Sequence, residues 1–507
     1  MNPIKSFSLL FILASRFVVA QSVNSKDTIE TARKLAYGKK YVDAVSLLSA
    51  YETKHPAEIN SVRLHVQILY WMKEYKAVSD VCETYLKNNP KQYCLKLDYG
   101  RILFESKKYD KAKAVISDYL KTDGGNVEAK NMLGTIAYWQ GQPNTAILYF
   151  EDVLHQYPTN EWALRLIKEI NQSTAPYVLL NSSYTNDTQP MSFINSSVES
   201  GWYRSSLLFP KISLQQQHFN TDGETKNSLL FQAGNTFSFS KIKTDIILSA
   251  GLFKSPADNK TNAIGSIGIN KKLFNSISLS VIESRTPYLN TISSLRTNVM
   301  QNTTSAFISY DKSKGWKGKA EYTFQQFNDD NNIQSAYGWI LSPSVKFSKI
   351  EIAIGYAYNY SDTKDSRFIA VKTLNEITAA YSSTAQITGE YNPYFTPQNQ
   401  QIHSILGNVI FSPFKSLSFS VNAKIGFYAV ADNPYLFLDK NTTNELVINR
   451  DFVSEKYFPM EIKGKINYTL SKKMVLEADY VYLQTFYFNS NTINLGFKYT
   501  FINEKKG

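Results

Sequence analysis

The sequence predicts an α + β multidomain chain in which an N-terminal all-α helical solenoid precedes an antiparallel transmembrane β-barrel of about sixteen strands. Three observations predict this. A period of 34 residues runs through the first third of the chain. From Tyr177 onward, apolar and polar residues alternate at a period of two. The connections between these segments are unequal in length, because short turns alternate with long loops.

The first residues have the order of an export signal. A basic start ending at Lys5 is followed by an apolar stretch from Phe7 to Ala14, and Val18-Val19-Ala20 precedes the polar Gln21. A charged start, an apolar middle and a small-residue end are typical of a secretory signal peptide. We therefore expect residues 1–20 to be removed on export.

Residues 26–172 repeat every 34 positions without insertion or deletion. Equivalent positions are Tyr41, Tyr75 and Tyr109; Ala44, Val78, Ala112 and Ala146; Leu48, Cys82, Ile116 and Phe150; and Pro56, Pro90 and Pro158. The period and these residues resemble the tetratricopeptide repeat, in which each unit is a pair of helices. The resemblance implies four units and a capping helix, stacked because one helix pair cannot bury its apolar face alone.

Stacked repeats of this kind present a concave groove to partner proteins. We expect the first helix of each unit to line it, with the candidate groove residues Arg63, Gln67, Tyr70, Arg101, Phe104, Asn131 and Tyr138. The alternative is that they form the ordinary surface of a spacer. Because Cys82 occupies a core position of the repeat, we expect Cys82 and Cys94 to be buried thiols, although an export compartment also permits their pairing.

Residues 177–503, reached through a linker at 173–176, are predicted to form the barrel. The bilayer core offers no water to backbone groups, so only helices and closed barrels span it. In residues 350–360 one parity carries isoleucines and tyrosines, whereas the other carries Glu351, Asn359, alanines and glycine. The alternative is a soluble β-sandwich or lipocalin-like barrel, but the predicted strands of about 10 to 14 residues exceed the common strand length. An aromatic content of 14% fits interfacial girdles.

Sixteen strands are predicted, an even number, and the longest connections are Pro287 to Val299, Ser361 to Gln400 and Ala431 to Pro459. Bacterial barrels place short turns in the periplasm and long loops outside. We therefore expect both termini and the helical repeats in the periplasm. The strands begin near Tyr177, Ser192, Ser206, Thr225, Lys241, Thr261, Ser276, Gln301, Trp316, Ile333, Ile350, Gln401, Leu417, Met460, Met474 and Asn491.

Charged residues fall on the parity assigned to the barrel interior. The candidate lumen charges are Lys463, Lys465, Glu477, Asp479, Lys498, Lys424 and Glu321. Antiparallel pairing predicts that Lys465 lies close to Asp479, with Lys498 on its far side. Such a ladder either satisfies charges inside the wall or lines a hydrophilic conduit.

A distinctive aromatic segment ends the longest predicted loop. Tyr391, Tyr394 and Phe395 lie beside Pro393 and Pro397, which stiffen the segment. Sugar rings stack on flat aromatic faces, so these three residues are candidate polysaccharide contacts. The alternative is an aromatic girdle or a loop anchor.

Catalytic and cofactor motifs are sparse. The five histidines are dispersed and lack metal-ligand spacing, so we expect no metal and no cofactor. His403 and Ser404, with Asp432 or Asp439, form the only hydrolase candidate, and we expect no enzymatic activity. The net charge of +12 is spread along the chain, and no segment resembles a nucleic-acid module.

The order of signal, tetratricopeptide repeats and terminal barrel resembles the YaiO family of outer-membrane barrels and, more distantly, the exopolysaccharide export porins. The resemblance covers the mature chain as architecture. It implies a bacterial outer-membrane location, contact with membrane lipid, a periplasmic protein partner in the repeat groove and export of a surface polysaccharide. The alternatives are a closed barrel that anchors a periplasmic interaction module and a barrel-embedded enzyme that modifies a lipid or glycan.

Overall fold

The computed structural model describes residues 25–221, 223–274, 276–312, 315–380 and 387–502, so the expected export signal lies outside the described residues. The chain divides into two compact units. One unit contains helical repeats, and the other contains a large antiparallel β-sheet.

The repeats form nine helices within the described residues, which confirms the predicted solenoid. Consecutive helices alternate between the first and second member of a pair. Their bounds are α1 (Ser25–Tyr37), α2 (Tyr41–Lys54), α3 (Ile59–Trp71), α4 (Tyr75–Asn88), α5 (Tyr93–Glu105), α6 (Tyr109–Leu120), α7 (Val127–Trp139), α8 (Pro143–Gln156) and α9 (Glu161–Thr174).

Equivalent repeat positions build the core of the solenoid. Leu48, Cys82, Ile116 and Phe150 are all fully buried. Gly134 on α7 lets that helix approach α8, because a Cβ at this position would lie 2.8 Å from the Phe150 ring. The 34-residue period of the sequence therefore corresponds to a core contact between helices that recurs in every repeat.

The turn inside each helix pair repeats as closely as the core. Lys39, Lys73, Lys107 and Gly141 occupy the equivalent position and have φ angles of 59°, 64°, 61° and 73°. This left-handed conformation commonly ends a helix and suits glycine best. Three units accept the conformational cost of a lysine there, and the fourth has the glycine.

The two cysteines are free thiols, with Cys82 buried and Cys94 exposed. The expectation of buried thiols is therefore right for Cys82 and wrong for Cys94, which lies at the start of α5 on its exposed side. Burial raises the pKa of the Cys82 thiol above its usual range.

The second unit consists mainly of long antiparallel strands. In chain order the strands are β1 (Tyr177–Asp187), β2 (Met191–Gly201), β3 (Pro210–Thr221), β4 (Glu224–Phe239), β5 (Thr244–Lys254), β6 (Thr261–Phe274), β7 (Ile277–Pro287), β8 (Met300–Asp311), β9 (Lys317–Phe327), β10 (Asn332–Leu341), β11 (Val345–Phe347), β12 (Ile350–Thr363), β13 (Phe368–Ala370), β14 (Gly389–Tyr391), β15 (Gln400–Phe414), β16 (Leu417–Lys440), β17 (Leu446–Lys456), β18 (Met460–Thr469), β19 (Met474–Gln484) and β20 (Asn489–Thr500).

The sheet closes because its first strand pairs with its last. The β1–β20 register runs from Tyr177 opposite Thr500 to Asp187 opposite Ser490. β11 continues β10 along β12, and β17 and β18 share the two halves of β16. Sixteen strands therefore encircle the barrel, which confirms the predicted fold class.

The two faces of the barrel wall differ in polarity. Ile354 and Leu495 project outward and are 65% and 59% exposed, and further exposed apolar residues share their parity on neighbouring strands. This outer surface suits lipid, since closure pairs the backbone groups that a bilayer cannot hydrate. Among the described helices, none has the length and apolar character needed to cross a membrane.

The even strand number puts Tyr177 and Thr500 at one end, here called the base end; the opposite end is called the loop end. Connections 288–299 and 364–399 at the loop end are long, but 188–190 and 222–223 there are short. The predicted alternation of connection lengths is therefore too simple. At the base end, β3 begins at Pro210 instead of Ser206, because residues 202–209 form a turn with a bridge between Ser205 and Leu208.

The 288–299 connection folds into the barrel at the loop end. It carries a short helix, α10 (Ile292–Arg296), whose Leu295 is buried against Met191 and Phe219 of β2 and β3. Thr291 caps this helix by accepting a hydrogen bond from the Ser294 amide. Part of the lumen beside β2 and β3 is therefore filled by the chain itself.

Candidate functional site

The strand register places all seven candidate lumen charges on the same face of the barrel wall. Lys465 lies opposite Asp479, and Lys424 lies opposite Glu461. The Lys424 ammonium is also 5.9 Å from the ring centroid of Tyr337 on β10, although β12 and β15 lie between the two strands. Contact across two strands requires that both side chains project into the barrel.

Four lysines of the lumen are paired with carboxylates. The Nζ to carboxylate-oxygen distances are 2.6 Å for Lys424–Glu461, 2.8 Å for Lys465–Glu477, 3.5 Å for Lys463–Asp479 and 2.7 Å for Lys319–Glu321. The two pairs between β18 and β19 are diagonal, since long side chains reach beyond the residue directly opposite. A half-exposed pair contributes about 0–1 kcal/mol to stability, so the ladder chiefly makes the interior polar and electrically balanced.

The predicted neighbourhood of Lys498 is wrong. Its ammonium lies 4.8 Å from the ring centroid of Tyr177, and its register partners are Val475 and Leu179. Asp479 instead accepts a hydrogen bond of 2.7 Å from the Asn494 side chain. Lys498 is therefore held by a cation–π contact near the base end.

The aromatic segment of the 364–399 connection lies across the loop end of the barrel. Tyr391 donates a 2.8 Å hydrogen bond to the Tyr487 hydroxyl, which itself donates to Asn433. The Phe395 amide donates to the Tyr288 hydroxyl at 3.3 Å. Tyr288 follows β7 and Tyr487 follows β19, which are the seventh and the fifteenth of the sixteen wall strands. The segment therefore links opposite sides of the wall.

Tyr394 anchors this crossing segment. Its ring is buried and stacks on Phe327 at a centroid distance of 3.7 Å and an interplanar angle of 6°. Its hydroxyl donates to both oxygens of Asp329, at 2.7 and 2.8 Å, and Arg367 donates to the same carboxylate at 2.7 Å. Tyr391 and Phe395, in contrast, are only partly buried. Of the three candidate sugar contacts, Tyr394 thus has the position of a loop anchor.

The Asp329 carboxylate is held in its charged form. Partial burial opposes ionisation, but the hydrogen bonds from Tyr394 and Arg367 outweigh it, so the pKa of Asp329 lies below its usual range. Burial and the bond to Asp329 together raise the pKa of Tyr394 to about 12. The anchor is therefore fully formed at neutral pH.

The two inward-folded connections also bind each other. Thr291 donates a 2.6 Å hydrogen bond to the Pro393 carbonyl, and Ser293 donates at 2.6 Å to the Asn392 side chain. On the other side, Arg450 of β17 donates to the carbonyls of Ser366 and Phe368. The described parts of the 364–399 connection are thus fixed to the rim at several points.

The candidate groove residues of the repeats are largely engaged with neighbouring repeats. Arg63 pairs with Asp98 at 2.6 Å, and Arg101 pairs with Glu128 at 2.5 Å and with Asp98 at 2.7 Å. The Tyr70 hydroxyl donates to Glu105, which raises the pKa of Tyr70 to about 12. These contacts join α3, α5 and α7 into one ladder.

The remaining groove candidates differ in exposure. Phe104 stacks on Trp139 at 5.5 Å, and buried Asn131 donates to Asn160 at 3.2 Å. Gln67 is exposed and Tyr138 is partly buried. Gln67 is therefore, with Arg63, one of the exposed polar groove candidates.

Two sets of aromatic residues escaped the sequence analysis. Tyr37, Trp71 and Trp139 are exposed and occupy one repeat position, which adding 34 residues would have found. Phe486, Tyr487 and Phe488 form an uninterrupted aromatic run in the last loop-end connection. The run itself was a usable signal, but nothing in the sequence tied it to Tyr391 and Phe395.

The hydrolase arrangement is wrong. His403 faces outward, where its Nδ1 lies 2.6 Å from the Tyr356 hydroxyl among Tyr358, Phe427 and Tyr428. Ser404, the next residue of the strand, faces inward and is buried. Successive strand residues point to opposite faces, so the two cannot act together. Among the described residues, no group of His, Cys, Asp or Glu has the arrangement of a metal site.

No protein-family model matches the sequence, and no curated protein matches it either. Among solved structures, a bacterial polysaccharide outer membrane secretin is similar over 65% of this chain and 99% of its own, with 7% identity and a TM-score of 0.46. MamA from Desulfovibrio magneticus RS-1 has 15% identity over 29% of this chain and 83% of its own, with a TM-score of 0.27. A tetratricopeptide repeat protein from Parabacteroides merdae has 16% identity over 29% of this chain and 59% of its own, with a TM-score of 0.27.

The molecule combines tetratricopeptide-type repeats with a sixteen-stranded barrel. Its apolar outer wall and closed sheet fit an outer-membrane location. At such low identities and TM-scores, the similar structures add nothing to what the strand pairing and the burial already establish.

Proposed function

We propose that this protein is an outer-membrane conduit for a surface polysaccharide, with its helical repeats in the periplasm as a docking module. The observation that carries the proposal is the polar, charge-balanced inner wall of a closed barrel with an apolar outer wall. Sixteen-stranded barrels are wide enough to leave an aqueous channel, and a barrel that served only as an anchor has no need for a polar interior of that width.

The segment across the loop end gives the conduit a closed state. Tyr391, Phe395 and the Tyr394 anchor link opposite sides of the rim through hydrogen bonds and ring contacts. Such contacts can rearrange without disturbing the strand ladders, since none of them is a backbone hydrogen bond between wall strands. Opening would require release of the segment from Asp329 and Tyr487.

The repeat module supports recruitment of a partner. Exposed Tyr37, Trp71 and Trp139 recur at one position, and Gln67 remains accessible on α3. Exposed aromatic residues are enriched at protein interfaces, where they contribute large contact areas. The even strand number puts the first and last barrel residues at the base end, where the docking module joins. The partner would therefore approach from the periplasm.

The second candidate is a permanently closed barrel that anchors the repeats. The crossing segment favours it, because the loop end is bridged in the described conformation. The two functions differ in one measurable property, which is whether loosening the segment produces a conducting state.

Planar-bilayer recording of the purified full-length chain tests the proposal. We expect rare openings of the native protein and a clearly higher open probability for Tyr394→Ala, which removes both the stack on Phe327 and the bond to Asp329. The matched control is Tyr435→Ala, because Tyr435 lies on the projecting half of β16 and bonds only to Asp451 among the described contacts of its hydroxyl. Persistent silence of both the native chain and Tyr394→Ala would leave the anchor as the function.

A further inference from the structure

A cavity of about 530 Å³ lies inside the barrel beneath the crossing segment. Its walls come from β1, β2, β15, β16 and β18–β20. Its remaining sides come from Phe395 and from the connections 188–190, 288–299, 457–459 and 485–488. This volume is in the range of sites that hold small molecules or short polymer segments. The cavity lies entirely within the barrel unit.

Seven aromatic rings line the cavity. They are Phe193, Tyr288, Phe395, Tyr457, Phe486, Tyr487 and Phe488. Neighbouring rings meet at steep angles: Phe395 and Tyr487 at 63° and Tyr457 and Phe486 at 82°, with centroids 4.9 and 5.5 Å apart. Unlike the buried anchor Tyr394, these side chains are only partly buried. Edge-on packing holds the rings in place and leaves ring surface for a ligand.

Uncharged polar groups also line the cavity. Gln189, Asn290, Gln400, Gln484 and Thr485 supply amide and hydroxyl groups. The hydroxyl of Tyr457 is buried and lacks a hydrogen bond of normal geometry among the described residues, with the Gln400 side chain as its polar neighbour. A buried hydroxyl with an imperfect partner costs free energy, which a better-placed ligand hydroxyl would recover.

The charges of the cavity are already compensated. Lys424 and Glu461 form an ion pair of 2.6 Å, and Asp187 accepts hydrogen bonds from the backbone amides of Gln189 and Met191. A charged ligand would have to displace these partners and bear the cost of its own desolvation. A ligand rich in hydroxyls, with apolar ring faces and no charge, fits without that cost.

We propose that this cavity binds a short segment of a neutral glycan, with sugar faces on the aromatic rings and hydroxyls on the amide groups. The inference rests on the proposed conduit function, since it names the chemical class of the cargo. It assigns Phe395 and Tyr487 to stacking and the Tyr457 hydroxyl to a hydrogen bond with the glycan. The crossing segment then contacts the cargo directly, because Phe395 belongs to it.

Isothermal titration calorimetry of the full-length protein in detergent tests the assignment with three probes: a neutral gluco-hexasaccharide, an oligogalacturonate of equal length and oleate. We expect the neutral hexasaccharide to bind best. Phe395→Ala and Tyr487→Ala should each weaken binding by tenfold or more, and Tyr457→Phe should weaken it severalfold. The control is Phe427→Ala, because Phe427 has the same side chain on the outward face. Unchanged heat-modifiable gel mobility would show that each variant retains the folded barrel.

Tighter binding of the oligogalacturonate would overturn the neutral assignment, and displacement of the sugar by oleate would identify a lipid pocket instead. Absence of binding by all three probes would also overturn it. Bilayer recording separates these failures from failure of the proposed function. Conductance without glycan binding refutes only the cargo, whereas silence of both the native chain and Tyr394→Ala refutes the conduit.

Discussion

The helical repeats and the barrel place their apolar residues on opposite sides. In the repeats, Leu48 and Phe150 are completely buried and most charged residues lie outside. In the barrel, Leu495 is 59% exposed, whereas Lys465 and Glu477 project into the interior. An exposed surface is therefore polar in the repeats and apolar in the barrel, because water surrounds the first region and lipid suits the outside of the second.

The two regions also differ in the range of their contacts. Each repeat helix packs on its sequence neighbours, whereas the barrel closes only when β1 pairs with β20, several hundred residues away. Local contacts form and break in small units, but closure of a barrel requires the whole sheet. We therefore expect the repeats to unfold without the barrel, and the following substitutions examine that expectation.

The largest effect is expected in the core of the repeats. Phe150→Ala leaves a cavity against Gly134 and should lower the free energy of unfolding of the helical unit by about 3–5 kcal/mol. Far-UV circular dichroism during urea titration of the full chain measures it. Leu148→Ala on the same helix is the control, since exposed Leu148 should change stability by only about 0.5 kcal/mol or less.

Heat-modifiable gel mobility of the same samples reports on the barrel. It should stay unchanged in Phe150→Ala at urea concentrations that remove the helical signal. Simultaneous loss of both signals would mean that the two regions form one cooperative unit.

A slightly smaller effect is expected on the outer wall of the barrel. Leu495→Lys places a charge near the middle of β20 on the lipid side and should reduce stability by about 2–4 kcal/mol. The matched control is Asn494→Lys, which puts the same charge on the inner side beside Asp479 and should cost clearly less. Urea-dependent folding into lipid vesicles measures both variants, and equal losses would contradict the assignment of the two faces.

The smallest effect is expected for ion pairs, in both regions alike. Arg101→Gln in the repeats and Lys465→Gln in the lumen should each reduce stability by about 1 kcal/mol or less, because their pairs are partly exposed to solvent. The same unfolding measurements at low and high salt check this, since salt should weaken the native pairs and narrow the difference. A loss well above this value for Lys465→Gln would show that its pair with Glu477 is structural.

Local sequence patterns were sufficient to predict much of the fold. The isoleucines of β12 face outward as their alternation predicts, because side chains of a strand point to opposite faces without regard to the rest of the protein. The equivalence of Leu48, Cys82, Ile116 and Phe150 likewise needed only the period, and it correctly predicted a shared core position. Lys498 shows the limit of such reasoning, since the predicted neighbour depended on which diagonal contact the long side chain would make.

The candidate site was less accessible to prediction. Asp329 comes from the connection between β9 and β10, whereas Arg367 and Tyr394 come from the 364–399 connection, and Phe395, Tyr457 and Tyr487 follow three different strands. No periodicity links them, because connections have no repeating geometry that fixes which of them meet. The 364–399 connection could have extended away from the rim with the same composition.

By itself, therefore, the sequence determined the solenoid, the long alternating strands, the even strand number and the polarity of each face. These follow from helix and strand geometry, which acts between residues close in the chain or on adjacent strands. Tertiary structure alone decided that two connections fold inward, that Tyr394 becomes an anchor instead of an open sugar platform, and that seven aromatic residues line one cavity. Those outcomes depend on the free energy of packing distant segments together, which no local pattern encodes.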